Sequence, residues 1–415
     1  MKIEKYSISS YLFFVIFVLN LIHHYKKSSL FNRLSAKSNR QTKLAPMKDH
    51  YNVNRILVIR FRRIGDAVLS SAICSSLKKS FPSAEIHYVL NENIVPLFEN
   101  HPDIDKIISF SDAENYDIIK YLQKVWQITR ANKYDIIIDC RSTVKTLLFC
   151  LFSMSTPYRL GIRKPYNLLS THTIRTEDYE SNVDRMLAIL RPVEKQLNLQ
   201  FTKNFRLKIM DEEQLHFRSY MTEKGIDFSK PVVVCTVAAR VAHKIWNTDY
   251  MAEVLLRMIE KYDAQLIFNY VGDELMVAQS VKEKMGNPTQ VFLNVEAKSL
   301  RELGALLTNA DFFFGNEGGP RHISQALDIP SYAIYPPEIS KKEWLPNASE
   351  RFQGIEPTDI PNDSESGTLS YIDSFNTITP DVVCVGLFEM LNRYLKPKTD
   401  AKEFVSSFNK QETIQ

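Results

Sequence analysis

Apolar runs and helix-spaced apolar positions alternate along the first half of the chain. Residues 55–61 form a short apolar run rich in β-branched side chains, which is typical of a buried parallel strand. Apolar residues then recur at helical spacing over residues 67–80, and Pro82 ends that pattern. The alternation continues with predicted strands at 85–90, 106–110 and 134–139 and a predicted helix at 115–131. Strands that alternate with helices in this way predict βαβ units in a doubly wound parallel sheet.

The alternation restarts near residue 231, which predicts a second α/β lobe. Its strands are predicted at 231–236, 264–269, 311–314 and 331–335, and its helices at 248–261, 320–327 and 382–395. We predict loops at 160–176 and 346–376, a helix at 182–197 and a polar connector that extends to about residue 229. Two doubly wound lobes that face each other form a ligand crevice between the carboxyl ends of their strands.

These patterns divide the chain into four segments. We expect an N-terminal segment at 1–48, an N-terminal Rossmann-like domain at 49–205, a C-terminal Rossmann-like domain at 206–398 and a mobile tail at 399–415. The first segment has no Asp or Glu from residue 5 to 48, and its apolar run at 11–22 is shorter than the roughly 20 residues that span a bilayer. Three interpretations stay open: a membrane-surface anchor whose basic residues contact anionic lipid, a presequence-like segment, and translation that starts at Met47.

Composition excludes several classes of protein. Basic residues exceed acidic ones by only four in 415 residues, so the chain is not a nucleic-acid polycation. The five cysteines include no C-x-x-C pair, which favours reduced, buried thiols in a cytosolic compartment. No G-x-G spacing occurs, which excludes the dinucleotide fingerprint, and no cluster has metal-ligand spacing. The Asp-x-Asp sequence at 103–105 precedes a strand, and we interpret it as a surface turn.

The turn after the first strand contains candidate chemistry. Asp66 follows Gly65 at the predicted mouth of the crevice, where a carboxylate can take a proton from an attacking hydroxyl. The alternative is that Asp66 is the N-cap of the next helix. Arg60, Arg62 and Arg63 have the guanidinium groups that clamp phosphates on an acceptor, although such a run is ordinarily a solvated loop.

A second strand–turn–helix sequence predicts a site for anions. Gly318 and Gly319 allow a ligand to approach the backbone, and Pro320 suits the first turn of a helix. The free N–H groups of that helix can hold a diphosphate without a metal, and His322 can add a donor. Lys244, after the first strand of the second lobe, is a point charge suited to a phosphate. A capped Gly-containing turn and a solvated lysine are the alternatives.

Taken together, these sequences resemble the lipopolysaccharide heptosyltransferase family, which is glycosyltransferase family 9. Residues 55–69 and their continuation at 77–86 resemble its opening, 134–139 its next landmark, Lys244-Ile-Trp246 its Lys-x-Trp, and 315–327 its Asn-Asp-x-Gly-x-x-His turn. The four motifs have the family's order over roughly residues 54–395. The resemblance implies a GT-B fold, in which two Rossmann-like domains face each other across a cleft.

The resemblance also implies roles for individual residues. Asp66 matches the family's general base, and an acidic residue that holds the donor ribose is matched by Glu274. The positions that contact the donor and its phosphates are matched by Lys244, Glu317, Gly318, Gly319 and His322. Two departures lie at the donor site: residues 237–240 are Val-Ala-Ala-Arg where the family has Pro-Gly-Ala-Ser, and Glu317 replaces an Asp.

The activity implied is an inverting, metal-independent transfer of heptose from a nucleotide-diphosphate donor such as ADP-heptose to a lipid-linked core saccharide. We expect no cofactor, no nucleic-acid partner, and a cytoplasmic location with contact to the inner face of the membrane. Two alternatives remain: a non-catalytic protein that binds sugar nucleotides, and a sugar-nucleotide epimerase on the same fold.

Overall fold

The computed structural model describes residues 52–61, 63–165, 167, 169–361 and 369–395. The predicted segment at 1–48, the predicted tail at 399–415 and Arg62 lie outside the described residues. Within these residues the chain forms two six-stranded parallel sheets with helices on both faces. No helix in the described part of the chain is long and apolar enough to cross a membrane.

The first lobe is built on a sheet of strand order β3-β2-β1-β4-β5-β6. Its strands are β1 (Arg55–Ile59), β2 (Glu85–Asn91), β3 (Lys106–Phe110), β4 (Ile136–Asp139), β5 (Tyr158–Ile162) and β6 (His172–Ile174). Its helices are α1 (Ile64–Ser80), α2 (Asp112–Tyr116), α3 (Ile118–Ala131), α4 (Leu147–Leu151), α5 (Asn182–Ala188) and α6 (Glu194–Leu197), with 3₁₀ turns at Glu92–Phe98 and Arg191–Val193.

The second lobe has the order β12-β11-β10-β7-β8-β9, which is the order of the first lobe when strands are counted within each lobe. Its strands are β7 (Val232–Thr236), β8 (Gln265–Phe268), β9 (Val291–Phe292), β10 (Phe312–Asn316), β11 (Ser331–Ile334) and β12 (Phe352–Ile355). Its helices are α7 (Asp211–Glu223), α8 (Thr248–Tyr262), α9 (Glu274–Lys284), α10 (Leu300–Thr308), α11 (Gly319–Ala326), α12 (Lys341–Trp344), α13 (Tyr371–Asn376) and α14 (Pro380–Tyr394), with 3₁₀ turns at Ala242–Lys244 and Pro357–Asp359.

The strand order changes direction between β1 and β4 in the first lobe and between β7 and β10 in the second. Ligands of doubly wound sheets bind at such switch points, beyond the carboxyl ends of the strands. The central strands are apolar because helices cover both of their faces: β1 is buried from Ile56 to Ile59, and β10 is buried along its whole length. Both loops predicted to hold chemistry, after β1 and after β10, therefore lie at a switch point.

One of the hydrophobic clusters extends across both lobes. A single cluster of buried apolar side chains contains Val68 of α1, Leu97 of the 3₁₀ turn, Leu306 of α10 and Ile323 of α11. Beside it, Arg301 of α10 donates to the backbone carbonyl of Glu99 in the first lobe at 3.0 Å. The two lobes are therefore in contact through an extended apolar surface.

Several predicted elements are wrong. The loop predicted at 160–176 contains β5 and β6, because Arg159 and Gly161 hide the strand pattern although β5 is buried throughout. The guanidinium of Arg159 donates to the carbonyl of Leu169 at 2.8 Å, which allows its burial. The predicted connector contains α7, of which only Phe217 and Met221 are buried, so its apolar periodicity is weak.

Two more predictions need correction. The helix predicted at 182–197 is interrupted by the 3₁₀ turn at Arg191–Val193, because Pro192 cannot donate to an α-helical ladder. The loop predicted at 346–376 contains β12 and α13. β12 is an edge strand whose side chains are mostly half-buried, so it lacks the apolar run of a central strand.

Candidate active site

Asp66 lies in the first turn of α1, next to the contact between the lobes. Arg63 is the N-cap of this helix, so the alternative that Asp66 is the N-cap is wrong. The Oδ1 atom of Asp66 accepts a hydrogen bond from Nη2 of Arg60 at 2.5 Å, and each side chain is only 7% exposed. The other terminal nitrogen of Arg60 donates to the carbonyl of Cys140 at 2.8 Å. A buried cation that β1 and β4 hold in place therefore faces the candidate base.

The three arginines near Asp66 have different surroundings. The guanidinium of Arg60 is buried against Asp66, whereas Arg63 is exposed at the start of α1. Arg62 lies outside the described residues. Three arginines were predicted to contact an acceptor. Of the two that the structure describes, Arg63 is the one that a large ligand can reach.

The turn after β10 depends on a glycine and an asparagine. Gly315 has a φ of +143°, and a Cβ atom there would lie 2.3 Å from the carbonyl oxygen of Thr236, so only glycine fits. Asn316 is buried, and its Oδ1 atom accepts from the backbone N–H of Trp246 at 3.0 Å. Its Nδ2 atom donates to the Thr236 carbonyl at 3.2 Å. Asn316 thereby ties the Lys244-Ile-Trp246 segment to the turn that contains Glu317.

Glu317 lies between Lys244 and His322. Its Oε2 atom is 3.7 Å from Nζ of Lys244, and its Oε1 atom is 3.3 Å from Nε2 of His322. Burial raises the pKa of Glu317, but the His322 hydrogen bond and the charges of Lys244 and Arg321 outweigh it and lower the pKa below its ordinary value. Glu317 is therefore an anion at neutral pH.

His322 is buried in the first turn of α11 and is 2% exposed. Burial and the neighbouring charge of Arg321 lower the pKa of His322 to about 4, against the opposing effect of Glu317 and Asp66. The imidazole is therefore neutral at pH 7. Its Nδ1 atom is 2.5 Å from Nη2 of Arg321, and its ring makes an edge contact with Trp344.

Glycines bring the first turns of α1 and α11 together. A Cβ atom on Gly65 would lie 2.5 Å from Cδ2 of His322, and one on Gly319 would lie 3.3 Å from Cδ1 of Ile64. Gly318, the N-cap of α11, has an extended backbone, and among the residues that the structure describes a Cβ atom there would meet only Pro320, at 3.8 Å. The backbone in front of α11 is therefore accessible to a ligand, and the candidate base and the candidate anion site lie side by side.

Glu274 is the first residue of α9, in the loop after β8. Its Oε2 atom accepts from the backbone N–H of Val271 at 2.9 Å, across a turn in which Gly272 has a φ of +57°. This contact is local. The structure thus brings Asp66, Lys244, Glu317 and His322 together, and it places Glu274 in the neighbouring loop on the same edge of the sheet.

Comparison with known proteins identifies the family. The family model of glycosyltransferase family 9 (heptosyltransferase) matches residues 122–352, which is more than half of the chain. The chain belongs to this family. It is 24% identical over 306 residues to lipopolysaccharide heptosyltransferase 3 of Escherichia coli K12, covering 70% of this chain and 85% of that protein. It is also 24% identical to lipopolysaccharide heptosyltransferase 1 of Campylobacter coli, covering 68% of this chain and 83% of that protein.

Solved structures agree with the fold of a family 9 glycosyltransferase. A family 9 enzyme from Veillonella parvula has a TM-score of 0.69 at 19% identity and covers 84% of this chain and 99% of that chain. The ADP-heptose heptosyltransferase II of E. coli has a TM-score of 0.64 at 19% identity, covering 82% and 99%. The predicted GT-B fold, with two Rossmann-like lobes facing across a cleft, is confirmed.

Three residues of this candidate site were not predicted. Asn316 and Arg321 belong to the motif at 315–322 but had no assigned role, and Trp344 lies far away in the sequence. The signal for Asn316 was its place between a glycine and an acidic residue at a strand end. An arginine next to a candidate ligand-binding histidine was a signal for Arg321. No pattern in the sequence indicates that the segment containing Trp344 packs against His322.

The acidic turn at 103–105 has the role of a surface turn, as predicted. Asp103 accepts from the hydroxyl of Ser75 at 2.6 Å, and Asp105 binds Lys78 at 3.0 Å. In the part of the chain that the structure describes, no group of three or more His, Cys, Asp or Glu side chains is placed to hold a metal ion.

Proposed function

We propose that this family 9 glycosyltransferase transfers heptose from a nucleotide-diphosphate donor, ADP-heptose, to a lipid-linked core saccharide, with inversion at the anomeric carbon. The names of its relatives support heptose as the sugar and lipopolysaccharide as the product class. The main structural support is one contact: Gly65, next to Asp66, lies against His322, next to the glycine turn. A base from one lobe is thereby adjacent to an anion site from the other.

In the proposed reaction a hydroxyl oxygen of the acceptor attacks the anomeric carbon of the donor. The new glycosidic C–O bond forms while the bond from that carbon to the phosphate oxygen breaks. The proton of the hydroxyl passes to Asp66, and the nucleoside diphosphate leaves with the electron pair. Arg60 fixes the orientation of the Asp66 carboxylate through the ion pair.

The second lobe stabilises the leaving group in this proposal. The N–H groups at the start of α11, in front of Gly318 and Gly319, face a developing negative charge with the positive end of the helix dipole. Lys244 adds a mobile ammonium group, which is 24% exposed and can move from Glu317 to a phosphate. We infer that these groups supply the positive charge of the reaction, so that no metal and no cofactor is required.

The acceptor side and the location follow from the same proposal. Arg63 is exposed beside Asp66 and is suited to bind an anionic group of the acceptor, together with Arg62. A lipid-linked acceptor brings the enzyme to the inner face of the cytoplasmic membrane as a peripheral protein. We infer Glu274 as the contact to the donor ribose, after release of its local bond to Val271.

The test is the Asp66→Asn variant, assayed by release of ADP from ADP-heptose with a short-chain core acceptor. General-base catalysis is worth about 10²–10⁴ in rate, so turnover should fall by that range while the dissociation constant of the donor stays close to that of the wild type. Asp112→Asn, an exposed carboxylate at the start of α2, is the matched control and should keep full activity. Full activity of Asp66→Asn would refute the proposal.

The same assay separates the alternatives in the wild-type protein. Donor binding without turnover would favour a non-catalytic sugar-nucleotide-binding protein. Conversion of the donor in the absence of acceptor would favour an epimerase. The proposed transfer requires both substrates and gives one ADP for each glycosidic bond formed.

A further inference from the structure

Arg321 is a buried cation at the donor site to which the proposed reaction gives no role. Its side chain has no exposed surface. Its guanidinium donates to Oε1 of Gln325 at 2.5 Å, to the backbone carbonyl of Trp344 and to the ring of His322. All three acceptors are neutral, and among the described residues the Nε–H group has no hydrogen-bond partner. Such an arrangement is costly for a buried charge, so the contacts that it maintains require an explanation.

The contact to His322 determines where the imidazole proton lies. A guanidinium has only donors, and Nη2 of Arg321 lies 2.5 Å from Nδ1 and 3.4 Å from Nε2, so the nearer ring nitrogen, Nδ1, is the acceptor. A neutral imidazole has one protonated nitrogen, which is then Nε2. That atom is 3.3 Å from Oε1 of Glu317, an acceptor, so both ring nitrogens have partners of the correct kind.

The neutral ring is consistent with its surroundings. Arg321 and the burial of the ring lower the pKa of His322 to about 4, although Glu317 and Asp66 of α1 oppose the shift. Trp344 of α12 covers the ring edge-on and brings no charge. A protonated imidazole would place two cations in contact, with Nδ1–H directed at the guanidinium.

We propose that Arg321 is a positioning residue of the donor site, which holds His322 as the Nε2–H tautomer through a hydrogen bond to Nδ1. The Nε2–H donor is then directed at Glu317. For the donor nucleotide, a role that rests on the proposed function, Arg321 thereby fixes the imidazole and, through it, the Glu317 carboxylate, without touching the ligand itself.

A purely structural role makes a different prediction. Arg321 also supports the backbone of Trp344, and Gln325 donates to the carbonyl of Pro346 at 2.6 Å. If these backbone contacts were the whole function of Arg321, its loss would weaken the fold and leave the tautomer of His322 unchanged.

Nitrogen-15 NMR of histidine-labelled wild-type protein tests the tautomer directly, without substrate. His322→Gln identifies the signals of His322 by their absence, and long-range nitrogen–proton correlations show which ring nitrogen has the proton. We expect Nε2–H at pH 7.5 in the wild type and in Arg321→Lys, which keeps a cationic donor, and a mixture or Nδ1–H in Arg321→Met. Nδ1–H in the wild type, or an unchanged tautomer in Arg321→Met, would overturn the proposal. This result does not depend on any activity.

A double-mutant cycle tests the path to the substrate. Loss of a hydrogen bond to a charged group is worth about 1.5–3 kcal/mol, so Arg321→Met should raise the KM for ADP-heptose about 10- to 100-fold. In a His322→Gln background the same change should have no further effect on KM, because the ring through which Arg321 acts is gone. Arg321→Lys should restore part of the loss. Additive effects of the two substitutions would show that Arg321 acts independently of His322 and would refute the inference.

Discussion

Gly65→Ala places a methyl group in the contact between the lobes. The added carbon would lie 2.5 Å from Cδ2 and 2.8 Å from Nε2 of His322, whereas non-bonded carbons prefer about 3.5–4.0 Å. The ring cannot turn away, because Arg321 binds its Nδ1 atom and Trp344 covers its edge. The first turns of α1 and α11 must therefore separate by about 1 Å.

Two opposing effects decide the stability of this variant. Overpacking costs about 1–3 kcal/mol, whereas replacing glycine by alanine in a helix gains about 0.5–1 kcal/mol. The free energy of unfolding should therefore fall by less than about 2.5 kcal/mol. Catalysis is more sensitive, because a misplacement of about 1 Å can cost about 10²-fold in rate. We expect kcat/KM for ADP release to fall about 100-fold while the fold persists.

The matched control is Gly304→Ala in α10. Its added Cβ atom would lie 2.6 Å from Cδ1 of Ile209, the end of a flexible side chain that can move aside. It should leave kcat/KM within about two-fold of the wild type, since the substitution is outside the candidate active site. ADP release and urea denaturation are measured for both variants. Wild-type activity of Gly65→Ala would refute the proposal that this contact sets the distance between the proposed base and the proposed anion site.

Three further predictions follow from the described contacts. Asn316→Ala leaves the buried N–H of Trp246 without its acceptor, which should lower the free energy of unfolding by about 1–3 kcal/mol. The KM for the donor should rise, because the segment that contains Lys244 is held less firmly, and an unchanged KM would contradict this prediction. Burial lowers the pKa of His101 and that of His322 to about 4, so the unfolded chain binds more protons than the folded protein between pH 6.5 and 4. The free energy of unfolding should therefore fall as the pH falls through that range, and the decrease should be smaller in His101→Gln. Urea denaturation midpoints at pH 7.5, 6 and 5 measure this decrease, and a midpoint independent of pH would contradict the prediction. All five cysteine thiols are buried, so a thiol reagent should react slowly with the native protein and should modify five thiols after unfolding. Rapid reaction of a thiol in the native protein would contradict this burial.

The fold was predictable where strands are central and helices strongly amphipathic. β1, β7 and β10 are buried on both faces, so each is a continuous apolar run in the sequence. α8 repeats its apolar positions with helical spacing because one face covers the second sheet. β5 and β12 could not be predicted because neither is a continuous apolar run in the sequence. Hydrogen bonds stabilise the polar residue in β5, and β12 is a half-buried edge strand, which a local pattern does not show.

The positions that meet at the candidate site were predictable from the sequence, but the pairings of their side chains were not. Asp66, Lys244 and His322 follow strand ends, and the topology of doubly wound sheets brings strand ends to the crevice. The ion pair between Arg60 and Asp66 was not foreseen, because the geometry at the start of α1 decides whether a guanidinium six residues earlier turns inward. The contacts of Arg321 were not predictable either, since its partners include a backbone carbonyl more than 20 residues away in the sequence.

The apolar cluster common to both lobes restricts how the enzyme can open. Val68 and Ile323 belong to the same buried cluster, so wide separation of α1 from α11 would expose a hydrocarbon surface to water. We therefore expect the lobes to admit and release substrates by a shear motion, in which packed helices slide past each other and exchange apolar contacts, rather than by a hinge motion that separates the lobes. We also expect the two lobes of this family 9 glycosyltransferase to unfold together rather than as separate modules.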